Sequence, residues 1–381
     1  MPITAKEHAD SMADYIREGV DRGRAIGNRG PLCLDDNGKL HPEILDAFRE
    51  HGFYIFENVI DPDEIRELRA DTDHLLDHAP VGRDAVVDAR GRKAFGQEFA
   101  VPCYTFVKPL SDPWGGTTKL RGRHQSKMTE AIPDPGAPEE VVYIMGGMCQ
   151  TMNSGLRLYG HPLLLTIAET INGPDFVPFN DAVFVKQPGL GGSVAWHQDG
   201  VTHWDSPNWD PGIHGFNFQI QLYPSTPANC LWVVPGTHKT GRADIKAMVA
   251  ANNGSDRLPA AIPLTCSAGD VTIVNRQLLH GSFANTSPDL RVSMTFGFHR
   301  RSSVLGAHGA LSQKKEVVYD EQRIFERSSV IAVAIDARAQ YYPEERRYVY
   351  QPFLGMEDEY RWSPEIYEKV IRDYNLQDLA I

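Results

Sequence analysis

The sequence predicts a mainly β fold with flanking helices, its core an antiparallel sandwich or barrel. Three observations predict it. From residue 181 onward, eight short apolar or alternating runs recur, at 181–188, 194–199, 215–222, 230–234, 261–265, 270–274, 278–283 and 290–298. Turn-forming residues separate these runs, and helical periodicity among them is confined to about 241–252. Many short strands divided by turn signals read as a sandwich or barrel. Ahead of residue 181, most of the recognisable elements are helical.

The elements follow in order. Residues 4–23 are helix-compatible, with Met12, Tyr15, Ile16 and Val20 on one stripe. Residues 41–52 form an amphipathic pattern with Ile44, Leu45 and Phe48 apolar, and Gly52 closes it. Residues 53–56 (FYIF) read as a buried strand. Asp61 is an N-cap, Pro62 takes the first helical position, and Asp63 and Glu64 place acids in the first turn. The helix they open runs to about His78. Residues 79 to about 147 are rich in Gly and Pro, and their basic stretch 119–124 (KLRGRH) stands out. It reads either as a solvated loop or as a flap whose cations meet an acidic substrate. A further helix fits 161–172, closed by Gly173. Beyond His299, the run 330–335 (VIAVAI) is β-prone, and Ser363 with Pro364 opens a last helix. The expected organisation is one catalytic domain over 1–381. It has a helix-rich N-terminal region, residues 1–180, containing an insertion 79–150, then a core 181–300 and a C-terminal extension 301–381.

Composition narrows the function. A formal net charge of −12 disfavours nucleic-acid binding, whose usual footprint is a basic surface. The five cysteines are scattered and form no C-x-x-C pair, which argues against a zinc or redox motif and against a disulfide framework. The first residues lack the apolar stretch of a signal peptide, and no apolar run approaches the roughly 18 residues of a membrane helix. The expectation is a cytoplasmic protein acting on a small molecule, with no nucleic-acid or membrane partner; a homo-oligomer stays open. Gly189, Gly191 and Gly192 precede a strand rather than a helix, so they do not cradle a phosphate.

The chemistry centres on residues 184–200 (FVKQPGLGGSVAWHQDG). Residues two apart on a strand share a face, so His197 and Asp199 can reach one metal ion. His280 supplies a third ligand. It follows a turn at Gly269 and Asp270 and the apolar run 271–274, and it opens another short run. Two imidazoles and one carboxylate leave three positions open, the facial triad of non-haem Fe(II) oxygenases, whereas zinc favours a tetrahedral site with one open position. The open positions suit a bidentate 2-oxo acid and O₂. The second carboxylate of that acid must be buried with a partner. Arg291 starts an apolar strand eleven residues after His280, and an arginine fork pairs bidentately with a carboxylate. Ser282 adds a hydroxyl donor. Trp196 directly before the H-x-D step and His203, Trp204 and Trp209 soon after it are, with Lys119, Arg121 and Arg123, candidate substrate contacts.

Several of these motifs occur together in one known family. Lys186-Gln187-Pro188, Gly191-Gly192 and His197-Gln198-Asp199 are joined by 230–238 (CLWVVPGTH), Gly269-Asp270, His280-Gly281-Ser282 and Arg291. With 48–53 (FREHGF), the chain resembles the phytanoyl-CoA dioxygenase family over about 41–78 and 160–300. The resemblance implies a double-stranded β-helix, the cupin-like jelly roll, and a 2-oxoglutarate-dependent oxygenase using Fe(II), 2-oxoglutarate and O₂. It assigns His197, Asp199 and His280 to iron, Arg291 and Ser282 to 2-oxoglutarate, and His238 to the scaffold. Members often carry a Trp on the strand before the C-L-W run, where Phe218 stands here. Halogenating relatives replace the metal-binding acid with a small residue, so Asp199 points to hydroxylation of a small metabolite with release of succinate and CO₂. Two rivals use the same barrel. A metal-dependent lyase or isomerase without 2-oxoglutarate has no need of Arg291, and a non-catalytic ligand-binding jelly roll has no need of the triad.

Overall fold

The computed structural model describes residues 3–200, 215–309, 317–376 and 378. Its N-terminal region holds α1 (Ala5–Ile26), β1 (Arg29–Pro31), α2 (Pro42–His51), β2 (Phe53–Glu57), α3 (Pro62–Asp77), β3 (Tyr104–Val107), β4 (Val141–Gly146), α4 (Asn153–Tyr159) and α5 (Pro162–Asn172). The strand-rich region follows with β5 (Val177–Lys186), β6 (Val194–His197), β7 (Gly215–Gln221), β8 (Leu231–Val234), α6 (Ile245–Ala251), β9 (Ile262–Leu264), β10 (Val271–Asn275), β11 (Leu279–Ser282) and β12 (Arg291–His299). A long helix, α7 (Glu321–Tyr341), comes after it. Each of the eight runs expected from residue 181 onward overlaps one of β5 to β12, with β5 starting four residues early and β10 and β12 each ending one residue late.

The strands form a large sheet of order β1-β2-β10-β7-β12-β5-β4-β3 and a small one of order β9-β8-β11-β6. The helix ends carry the expected chemistry. The Asp61 carboxylate accepts from the Asp63 N–H at the start of α3, and α1 opens on a capping box between Thr4 and Glu7. Gly52 ends α2 with φ of 82°, and a Cβ there would lie 2.6 Å from His238 Nδ1. Only glycine satisfies both the turn and that approach.

Each sheet buries one face under helices. On the large sheet, Phe216, Phe218, Phe296 and Phe298 pack together and against Tyr159 of α4. On the small sheet, Trp232 stacks on Tyr15 of α1 at 4.8 Å, and Phe283 meets both rings edge-on. The opposite face of β7 carries Asn217, Gln219 and Gln221, polar residues at period two among apolar ones. A cavity of about 340 Å³ lies between the sheets, lined from both.

One expectation fails. The β-prone run 330–335 is the middle of α7, not a strand. Residues 327–338 of that helix are all buried, so it is covered on every side and shows no 3.6-residue apolar stripe. Its β-branched residues imitate a buried strand. The segment 79–147, rich in Gly and Pro, nonetheless supplies β3 and β4, which extend the large sheet beyond β5. Long loops around these two strands conceal them.

Candidate active site

His197 ends β6, and His280 on β11 lies directly opposite it in antiparallel register, with ring centroids 4.1 Å apart. The Asp199 N–H donates to the Arg276 carbonyl at 2.8 Å, which ties the acid to the turn between β10 and β11. The ligand atoms of the three buried side chains lie within 4.8 Å of one another. His197 Nε2 is 3.6 Å from one Asp199 oxygen, and His280 Nε2 is 4.0 Å from the other. Among the described residues, no other three His, Cys, Asp or Glu side chains converge in this way.

Backbone carbonyls fix both imidazoles. His197 Nδ1 is 2.8 Å from the Ala195 carbonyl and His280 Nδ1 is 2.7 Å from the Leu278 carbonyl. A carbonyl only accepts, so each Nδ1 carries the proton and each Nε2 keeps its lone pair for a metal. Burial disfavours the charged ring and holds both histidines below their ordinary pKa. Burial alone would raise the Asp199 carboxyl, but Arg276 and Arg123, with the Asn217 hydrogen bond, outweigh it and keep the group ionised. Asn217 Nδ2 donates to Asp199 Oδ2 at 2.9 Å. The donor set thus fits a divalent metal: two neutral imidazoles and one carboxylate, each already oriented.

Arg291 and Ser282 line the same cavity as these three residues. Arg291 is 2% exposed, and among the described residues no carboxylate pairs with it. Its Nε has no hydrogen-bond partner. The ionisable groups near it, Cys230, Cys266 and Tyr143, are pushed up by burial and so remain neutral. A desolvated guanidinium facing a cavity without a counter-ion fits an anionic cosubstrate.

The other expected contacts separate. Trp196 points away from the cavity, as a residue adjacent to His197 on a strand must, and its indole N–H donates to the Asp256 carbonyl at 2.6 Å. Lys119 and Arg121 are exposed on the turn Lys119–Gly122. Arg123 instead turns inward, and its Nη1 lies 2.7 Å from Asp199 Oδ1. His203, Trp204 and Trp209 lie outside the described residues. His238 is buried, with Nε2 2.9 Å from the Arg49 carbonyl, a scaffold contact outside the cavity lining. Phe218 packs on the helix side of the large sheet, so the inward side chains of β7 are Asn217 and Gln219.

Three cavity features went unread in the sequence. Arg276 is almost fully buried, with Nη1 2.6 Å from Asn217 Oδ1 and its guanidinium 4.2 Å from the Phe179 ring. A charge four residues before His280, between the apolar runs 271–274 and 278–279, was the available signal. The His124 ring lies tilted against His197 with centroids 4.4 Å apart, and its pKa is pushed down to about 2 by burial and by Arg123. Finally, residues 371–376 and 378 close one side. Asn375 lines the cavity, the Tyr374 hydroxyl donates to Asp181, and the buried Asp378 carboxylate accepts from Arg327 Nε at 2.9 and 3.2 Å.

Residues 152–293 match the family model for phytanoyl-CoA dioxygenase (PhyH). A phytanoyl-CoA dioxygenase of Arabidopsis thaliana is 25% identical over 268 residues, covering 67% of this chain and 87% of its own. An ectoine dioxygenase of Halomonas elongata is 24% identical over 301 residues, 73% of this chain and 76% of that one. Among solved structures, AviO1 from Streptomyces viridochromogenes Tue57 aligns with a TM-score of 0.47 and 21% identity, over 71% of this chain and 96% of that one. With the His-Asp-His group, the family match and the dioxygenase relatives define the class: an iron(II)- and 2-oxoglutarate-dependent dioxygenase. Within that class, residues 152–293 are similar to the phytanoyl-CoA dioxygenase family.

Proposed function

We propose that this dioxygenase hydroxylates a small-molecule metabolite and releases succinate and CO₂, with His197, Asp199 and His280 holding iron and Arg291 and Ser282 holding 2-oxoglutarate. Arg291 carries the assignment. A buried guanidinium with no anion among the described residues, in the cavity of the His-Asp-His group, is unexplained in a lyase or isomerase that uses no 2-oxo acid.

When bound, iron and 2-oxoglutarate together activate O₂ and supply the oxidant that breaks a substrate C–H bond. The chain's contribution is placement. The Ala195 and Leu278 carbonyls aim the two Nε2 lone pairs, and Asn217 steadies the Asp199 carboxylate. The Arg291 fork matches both oxygens of the far carboxylate of 2-oxoglutarate, and Ser282, two residues from His280 on β11, adds its hydroxyl. Apolar walls from Trp114, Ile144, Phe184 and Leu231 keep water from the reacting atoms.

The strand order supports a double-stranded β-helix. Along the chain, β5, β7, β10 and β12 fall in the large sheet, and β6, β8, β9 and β11 in the small one. We read 181–300 as this core, with 1–180 and 301–381 wrapped on it as one catalytic domain. Five free thiols, four of them buried, fit a reducing cytoplasmic setting.

The test is optical. Fe(II) and 2-oxoglutarate added without oxygen should give a visible metal-to-ligand charge-transfer band, absent in His280→Ala and Asp199→Ala. A band that never forms, or that survives both substitutions, overturns the ligand set. Succinate release stimulated by candidate metabolites then identifies the substrate.

A further inference from the structure

Arg123 and Asp199 form an ion pair inside the cavity, with the arginine side chain 17% exposed. In the iron enzyme this pairing cannot persist unchanged. Iron bound to Asp199 draws on the carboxylate charge that Arg123 now neutralises, and it places a dication beside the guanidinium. Arg276, with Nη2 3.6 Å from the other Asp199 oxygen, already adds a second cation there. The two carboxylates of 2-oxoglutarate are committed elsewhere, one to the metal and one to Arg291. Among the described residues, the other acid lining the cavity is Asp181, which is engaged by Tyr374 and neighbours Arg327, which Asp378 also neutralises. Among the described residues, no further carboxylate of the cavity lining is left to take up Arg123.

We propose that Arg123 binds a carboxylate of the substrate, which makes the substrate an organic acid; this rests on the iron and 2-oxoglutarate assignment above. Arg123 already shows the required geometry, because it holds a carboxylate oxygen at 2.7 Å. Its Nε is buried without a hydrogen-bond partner, so the guanidinium has donor capacity to spare. The arginine is also carried on a backbone suited to rearrangement. Leu120, Arg121 and Gly122 hold φ of 48°, 57° and 68°, a strained left-handed run directly before it, and Leu120 lines the cavity. Exposed Lys119 on the same turn adds a positive charge at its outer side in a chain that is acidic overall.

Binding of matched probes to the protein loaded with Fe(II) and 2-oxoglutarate, without oxygen, tests this. Acetate, acetamide and inorganic phosphate are titrated by calorimetry while the charge-transfer band is followed. Acetate should bind at least tenfold more tightly than acetamide, with the band retained. In Arg123→Gln the preference should fall below threefold, and in Arg123→Lys it should return to an intermediate value. A residue that only neutralises Asp199 would alter iron affinity and leave the acid-to-amide ratio alone. Equal binding or no binding of the two probes, a preference that survives in Arg123→Gln, or acetate that bleaches the band each overturns the proposal. Phosphate preferred over acetate overturns the carboxylate assignment. A protein that never gives the band removes the iron and 2-oxoglutarate assignment itself, and the proposal with it.

Discussion

Without its cosubstrate, the protein carries a desolvated cation at Arg291. Such a group lowers stability unless an anion joins it. Arg291→Met should therefore leave the unliganded protein at least as stable as wild type in urea unfolding. The same substitution should raise the concentration of 2-oxoglutarate needed for the charge-transfer band roughly a hundredfold, the equivalent of about 3 kcal/mol from charge-assisted hydrogen bonds. Loss of stability with an unchanged 2-oxoglutarate requirement would mean that Arg291 is structural. His197, Asp199, His280 and Arg291 are legible in the sequence because spacing along strands fixes their faces. The same rule excludes Trp196, which is one residue out of phase with His197 and faces the helices. Arg276 and Arg123 escape it, because a turn and a loop bring them in and no periodicity governs either.

At the scale of elements, the packing of α4 on α7 depends on one glycine. A Cβ on Gly160, just after α4, would lie 2.4 Å from the backbone of Ala334 in α7. Gly160→Ala should cost about 1–3 kcal/mol by forcing the two helices apart, read as a lower urea midpoint with an unchanged slope. An unaltered midpoint would show that the helices separate freely. The strands of the core are legible because each pairs apolar alternation with turn residues at both ends. Helix α7 is not, because a helix buried on all sides loses the stripe that betrays its period. Strands β3 and β4 are hidden for another reason: 33 residues of loop and turn, 108–140, lie between them and hold only short irregular pieces.

The whole molecule leans on uncharged buried histidines well beyond its cavity. His8 beneath the small sheet, His161 at the start of α5 and His238 against α2 are all held below their ordinary pKa, chiefly by burial. In the unfolded chain each titrates near 6.5, so below that pH the unfolded state takes up protons that the folded state refuses. Stability is then fully present above about pH 6.5 and falls as the pH drops, by up to about 1.4 kcal/mol per unit for each such histidine. His161 Nδ1 accepts from the Leu163 N–H as the cap of α5, and His161→Asn keeps an acceptor there. That substitution should flatten the acid limb. Urea unfolding at several pH values between 5 and 7.5 checks it, and an equal slope in the variant would show that His161 is protonated in the fold.

The latch at Asp378 bears on when the cavity exists at all. Arg327 waits in the core for a carboxylate 51 positions further on, and Asn375 completes the cavity from the same late segment. Without this segment Arg327 lacks its carboxylate and the cavity lacks the wall that Asn375 supplies. Iron held in an open pocket would direct oxidation at water and at the protein itself. Because one short segment both neutralises the core arginine and walls the cavity, its docking and safe oxygen chemistry rise and fall together.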